Sequence, residues 1–161
     1  MEKYDYIICG GGASGLLLSN AFIKDEFFND KKILIIERES KTLNDKTFSF
    51  WDNQSNDLDR IVFKSWEKAE FKDSEFSSSF NLSPYKYKMV RSDRFYSYMR
   101  KKIDRASNFN YLNATVIDID KDSNQNNVKT DHGDFLCTVV FSSIYEPCLL
   151  YTSDAADDLT R

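Results

Sequence analysis

Short continuous apolar runs and short alternating ones divide this chain into elements. Tyr4-Asp5-Tyr6-Ile7-Ile8-Cys9 reads as an apolar strand that runs straight into Gly10-Gly11-Gly12. After Gly15, Leu16-Leu17-Leu18-Ser19-Asn20-Ala21-Phe22-Ile23 predicts a buried helix. Ile33-Leu34-Ile35-Ile36-Glu37 is a second continuous run, of the kind shown by parallel strands covered on both faces. Residues 38–60 are polar and irregular and predict a long loop, in which the aromatic cluster Phe48, Phe50 and Trp51 argues against disorder. Residues 61–68 alternate weakly and start a strand through Trp66, 70–72 and 76–80 read as short strands, and Pro84 marks a turn. Residues 85–90 alternate at the period of a half-buried strand.

Ser92 then reads as a helix N-cap with Asp93 in the first turn. Phe95, Met99 and Ile103 recur at helical spacing and Arg100, Lys101 and Lys102 close the segment, which predicts a helix over residues 92–105. Residues 111–120 alternate as one strand and 122–127 read as a turn. Val128-Lys129-Thr130 and Phe135-Leu136-Cys137 flank Asp131-His132-Gly133-Asp134 as a hairpin, which runs on into Thr138-Val139-Val140-Phe141-Ser142-Ser143 as a buried strand. The order is therefore a β-α-β unit, a long loop with a small antiparallel excursion, a helix, a meander and a return strand.

The glycines give the first unit a chemistry. Gly10, Gly12 and Gly15 form G-x-G-x-x-G directly between a strand and a helix. Gly10 permits the tight turn, Gly12 lets backbone approach a pyrophosphate, and Gly15 lets the helix pack closely on the strand. Ala13 and Ser14 open the helix, whose free N–H groups and positive dipole end suit phosphate. Glu37 closes the next strand about 20 residues later, where an acid binds ribose hydroxyls. A carboxylate there suits a free 2′-hydroxyl and repels a 2′-phosphate, so NADP is disfavoured at this site while FAD and NAD both fit. Arg38, beside Glu37, is read as a neighbour of the adenosine.

Composition narrows the classes. The chain has 161 residues, 22 Lys and Arg against 26 Asp and Glu, a net charge of −4 and a pI near 5.1. That length suits about one domain, and the mild acidity without a basic stripe gives no support for nucleic-acid binding. No run approaches the roughly 18 apolar residues of a membrane span, and the first strand leaves no room for a signal peptide. Cys9, Cys137 and Cys148 make no C-x-x-C pair, so neither a metal site nor a disulfide framework is expected. Cys9 and Cys137 sit in strand contexts as reduced core residues, which fits a cytoplasmic protein. The 13 Phe and 9 Tyr are expected in strands and core, with an aromatic wall for an apolar ligand as the second reading. His132, the only histidine, is read as a turn residue and not as a catalytic base.

A β-α-β unit interrupted early by antiparallel strands resembles the N-terminal part of a glutathione-reductase-like FAD-binding Rossmann domain, an α/β fold with an antiparallel excursion, here truncated. Within that group Asn44-Asp45-Lys46-Thr47-Phe48-Ser49-Phe50-Trp51 resembles the N-x-x-T-W-x-F-W stretch of bacterial lycopene β-cyclases, with Phe48 in place of Trp. Tyr85, Tyr87, Val90, Arg91, Phe95 and Tyr96 fall as in that family's Y-x-Y-x-x-I-R-x-x-x-F-Y segment, and Val140-Phe141-Ser142-Ser143 matches its return strand. The resemblance covers residues 4 to 147 and implies an enzyme that uses reduced FAD, with NAD(P)H as electron source. It cyclises the ends of lycopene or a related linear carotene without net redox change. The resemblance also implies that Thr47, Phe48, Phe50 and Trp51 line the flavin or polyene site, ordinary packing being the alternative for these aromatics. The family's acids lie in a later substrate domain, so no catalytic residue is assigned and this chain alone is expected to be inactive. Peripheral membrane contact of the full-length protein follows only from the greasy substrate.

Residues 148–158, Cys-Leu-Leu-Tyr-Thr-Ser-Asp-Ala-Ala-Asp-Asp, resemble the translation of a transposase-type sequencing adaptor. The expected organisation is a partial FAD/NAD(P)-binding domain over residues 1–147 and a non-native tail over 148–161. Two other readings stay open: another FAD-dependent oxidoreductase of this fold, such as a monooxygenase or prenyl reductase, and a non-catalytic dinucleotide-binding module.

Overall fold

In the computed structural model the described residues are 1–121 and 125–144. The expected tail, Cys148 and part of the expected 122–127 turn lie outside them. The chain divides into two compact units, one of residues 1–15, 27–39 and 108 onward, the other of residues 16–26 and 40–107.

The first unit is built on six strands: β1 (Glu2–Cys9), β2 (Ile33–Glu37), β8 (Phe109–Asn113), β9 (Val116–Lys121), β10 (Asn126–Thr130) and β11 (Gly133–Ser142). Their order is β8-β2-β1-β11-β10-β9; the first four run parallel and the last two pair antiparallel. The continuous apolar runs of β1 and β2 are central strands, and all five residues of β2 are buried, whereas the return stretch of β11, expected to be buried, leaves Val139 and Phe141 each 37% exposed. Tyr4, Ile7, Cys9, Leu34, Ile36, Ala114, Val128 and Cys137 form one cluster there. Cys9 and Cys137 are free and buried, as expected; burial pushes the Cys9 thiol up to about 12 and the Cys137 thiol up to about 11. The expected strand over 111–120 is two strands, because the chain turns at Ala114 and Thr115, whose N–H groups bond Glu37 O and Asp131 Oδ1. The expected hairpin is present, and its segment continues without a break into the return strand as β11. His132 lies in its turn, with its N–H on Thr130 Oγ1 and its ring on Asp131.

Helix α1 (Ala13–Lys24) follows the glycines. The expected buried helix is buried on one side, through Leu16, Ser19 and Phe22, whereas Leu17 is 43% exposed.

The second unit carries β3 (Thr47–Asp52), β4 (Val62–Trp66), β5 (Lys68–Lys72), β6 (Ser77–Asn81), β7 (Lys86–Arg91) and α2 (Ser92–Ile103). The long loop expected over 38–60 is corrected here, since it contains β3 and a 3-10 turn over Asp57–Ile61. β3 is short and polar on alternate positions, and what makes it a strand is pairing with β7, register Thr47↔Arg91 to Asp52↔Lys86. The three-stranded sheet runs β3-β7-β4, and β5 and β6 pair separately. In β7 the alternation is present, with Lys88 and Val90 as its buried pair. Lys88 tolerates burial because its Nζ lies 3.0 Å from Asp52 Oδ2 and 2.5 Å from Asp59 Oδ1.

Two further expectations are corrected. Ser92 is the first residue of α2 and not its cap. Arg91 holds the cap position, while the buried Ser92 hydroxyl accepts Lys46 N–H at 3.0 Å and donates toward Asp45 Oδ1 at 2.9 Å. The aromatics are not uniformly core: Tyr4, Phe22, Phe95, Tyr96 and Phe109 are buried, but Phe27, Trp51, Phe63, Phe71, Phe76, Phe80 and Tyr85 are exposed. Among the described residues no helix is long and apolar enough to cross a membrane, and no cluster of His, Cys, Asp and Glu is placed to hold a metal ion.

Candidate dinucleotide site

The first unit gathers its glycines at the carboxyl end of the parallel strands, where β1 lies between β2 on one side and β11 on the other. That is the switch point at which open α/β sheets bind ligands. Gly10 carries the turn out of β1 with φ +114°, a backbone angle that side chains rarely adopt. Its N–H donates to Ile36 O at 2.8 Å, and Ser143 N–H donates to Cys9 O at 2.9 Å, so the ends of all three strands are tied at this point.

The glycines differ in what a side chain would meet. A Cβ at Gly15 would lie 2.0 Å from Gly10 O and 3.1 Å from Ile8 Cγ2, so this position is closed by the first turn of α1 against β1. At Gly10 it would lie 2.1 Å from Ser143 Oγ. At Gly12 it would meet nothing within 4 Å. Gly10 and Gly15 thus serve the fold, whereas Gly12 leaves open space beside the N-terminus of α1, where Ala13 and Ser14 begin the helix. A cradle of this form suits a pyrophosphate.

Glu37 is 8% exposed. Its Oε2 accepts Gly11 N–H at 2.7 Å and its Oε1 accepts Glu39 N–H at 3.0 Å, so the carboxylate is oriented by the glycine turn itself. Arg38 is exposed beside it, with its Nε 3.6 Å from Glu39 Oε1. The residues Gly10, Gly12, Ala13, Ser14, Gly15, Glu37 and Arg38 are therefore brought to one end of one sheet. Two partners carried no mark in the sequence pattern. A Cβ at Gly11 would lie 2.6 Å from Tyr111 Oη and 2.8 Å from Glu37 Cβ, so Gly11, unlike Gly12, is closed, and Tyr111 of β8 completes the wall. The middle glycine of the triplet was a free position in the motif, and only the pairing of β2 with β8 places Tyr111 there.

Thr47, Phe48, Phe50 and Trp51 belong to β3 of the second unit, where alternation separates them. Phe48 and Phe50 are half-buried, and Phe48 packs edge-on against Phe95 (5.1 Å) and Tyr96 (6.0 Å) of α2. Thr47 and Trp51 lie on the opposite face, exposed, with Trp51 set 4.9 Å from the Tyr87 ring.

Comparison with known proteins gives a consistent fold. The sequence matches the family described as lycopene cyclase protein over residues 5–146. No curated protein matches it. Among solved structures, p-nitrophenol 4-monooxygenase from Pseudomonas putida superposes with TM-score 0.67 at 16% identity, over 88% of this chain and 41% of that one. A flavin-dependent brominase gives 0.68 at 18%, over 92% and 39%. A flavoprotein/dehydrogenase from Cytophaga hutchinsonii gives 0.62 at 15%, over 88% and 39%. The chain spans about two fifths of the length of these proteins, and its architecture is that of an FAD-binding Rossmann-like domain.

Proposed function

The chain belongs to the lycopene cyclase family, and from that premise we propose that it forms the FAD-binding part of an enzyme that cyclises the ends of linear carotenes. The observation that carries the cofactor assignment is the contrast among the glycines, Gly10, Gly11 and Gly15 closed against the protein and Gly12 open beside a helix N-terminus. In this reading the N–H groups at Ala13 and Ser14 take the pyrophosphate, and Gly12 keeps the approach clear. Glu37, held by Gly11 and Glu39, accepts the ribose hydroxyls, and Arg38 lies beside the adenosine.

In the reaction a carboxylic acid protonates the terminal double bond of the polyene, a neighbouring alkene captures the cation, and a proton is lost, so no electrons are gained or spent overall. Reduced FAD, with NAD(P)H as the source of its electrons, supplies electrostatic stabilisation of that cation. No residue of this chain is assigned the acid's role. The substrate is lycopene or a related linear carotene, and the carotene's own solubility makes peripheral membrane contact part of the proposal for the full-length protein.

The test is expression, in a lycopene-accumulating host, of the gene read past codon 147 from source DNA. Cyclic carotene is the expected product. Hydroxylated or hydrogenated carotene would assign the parent to the monooxygenases or prenyl reductases that share this fold, and unchanged lycopene with tightly bound FAD would leave a binding module.

A further inference from the structure

Tyr111 reaches the dinucleotide site from a strand that the glycine motif does not include. β8 runs parallel to β2, with Tyr111 opposite Ile35 and Asn113 opposite Glu37. Opposed residues share a face and alternate residues return to it, so Tyr111 stands on the face of Glu37, one diagonal step away. Its hydroxyl comes to the glycine turn itself. A Cβ at Gly11 would lie 2.6 Å from Tyr111 Oη, 2.8 Å from Glu37 Cβ and 3.1 Å from Glu37 Cγ, so the two side chains converge on one point beside the turn. Gly11 N–H in turn donates to Glu37 Oε2 at 2.7 Å. Glycine at this free position of the motif is what lets a phenol and a carboxylate meet there.

The two groups differ in what they offer a ligand. A carboxylate only accepts hydrogen bonds, whereas a phenol hydroxyl both donates and accepts. A ribose hydroxyl uses both kinds of partner: its hydrogen goes to an acceptor, and its oxygen takes a donor. Glu37 supplies only the first. The Arg38 guanidinium, next to it in the chain, is exposed, with its Nε 3.6 Å from Glu39 Oε1. We propose that Tyr111 is a ribose-binding residue of this site, its Oη donating to the oxygen of a hydroxyl whose hydrogen Glu37 accepts. This rests on the dinucleotide reading of the glycine turn and adds to it a donor from β8. The ligand it selects is an adenosine diphosphate moiety with its ribose hydroxyls intact, the half that FAD and NAD share. A sugar without those hydroxyls leaves Tyr111 nothing to donate to.

The test removes each partner of that hydrogen bond in turn. ADP and 2′,3′-dideoxy-ADP, which lacks both ribose hydroxyls, are titrated calorimetrically into the unmodified chain and into Tyr111→Phe, which keeps the ring and loses only the hydroxyl. The unmodified chain is expected to prefer ADP. Tyr111→Phe is expected to weaken ADP about tenfold, the loss of one hydrogen bond, and to leave dideoxy-ADP unchanged. Tyr111→Leu, which removes the ring as well, is expected to weaken ADP more than dideoxy-ADP by a similar factor. Equal weakening of both ligands in Tyr111→Phe means that Tyr111 acts through packing, and unchanged ADP affinity means that its hydroxyl takes no part; either result overturns the proposal. FAD titrated into the same samples separates the two claims. FAD and ADP bound with no discrimination at Tyr111 removes the ribose contact alone, whereas neither bound by the unmodified chain removes the cofactor reading and the ribose contact with it.

Discussion

The two units of the chain are specified in different ways. In the first, a handful of backbone positions decide the outcome: one glycine takes φ +114°, another has backbone where its side chain would be, and the strands around them are continuous apolar runs. The second contains no glycine. β3 becomes a strand because β7 pairs with it, and Lys88 becomes a core residue because Asp52 and Asp59 neutralise it. Local backbone requirements are written in residue types, whereas cross-strand partnership is written only in the pairing.

Substitutions can break that contrast. Gly15→Ala is expected to have the largest effect, because the new Cβ would sit 2.0 Å from Gly10 O, and backbone on both sides cannot give. Loss of about 3 kcal/mol or more, or failure to fold, is expected in urea unfolding. An unchanged midpoint would mean that the closure at this turn is not structural. Gly12→Ala, in the same motif, meets nothing within 4 Å and is expected to cost less than about 1 kcal/mol.

In the second unit one polar anchor is Ser92, fully buried, with Lys46 N–H donating to it and Asp45 Oδ1 accepting from it. Ser92→Ala leaves those groups without their partner and is expected to cost about 1–3 kcal/mol in the same measurement. A cost near zero would show that the segment before β3 is not held by α2.

A smaller effect depends on pH. Asp57 is pushed down to about 2 by its ion pairs with Lys24 and Lys102. A lowered carboxyl contributes stability that is complete above its unfolded value near 4 and lost as pH falls toward 2. Unfolding midpoints measured between pH 5 and pH 2 are therefore expected to fall less in Asp57→Asn than in the unmodified chain; equal slopes would remove the assignment. The smallest effect is expected at Cys9 and Cys137, whose buried thiols should stay unmodified by a disulfide reagent at pH 8 until the protein is unfolded. Rapid modification in the native state would show that the core of the first unit opens.

Much of the first unit was legible in the sequence: the glycine turn, the strand of Ile33 to Ile36, the acid at Glu37 and the hairpin at His132 all fall where the pattern puts them. Gly11 and Tyr111 were not, since their contact depends on β8 lying beside β2, far apart in the chain. The residues 47–52 read as loop because their apolar positions alternate only over a short stretch and their partner strand comes about 40 residues later. Ser92 read as a cap because it begins a helix with an acid behind it, yet its hydroxyl is turned to residues 43–46 instead. In each case the local signal was present and a distant partner reassigned it.

The cofactor site is tested most directly by titrating FAD into the unmodified chain and into Gly12→Ala, following flavin fluorescence, with circular dichroism to confirm equal folding. Saturable binding by the unmodified chain, weakened tenfold or more by a methyl group that touches nothing in the protein, is the expected result. Equal binding by the two, or no binding by the unmodified chain, would contradict the assignment of Gly12 and its helix to the pyrophosphate.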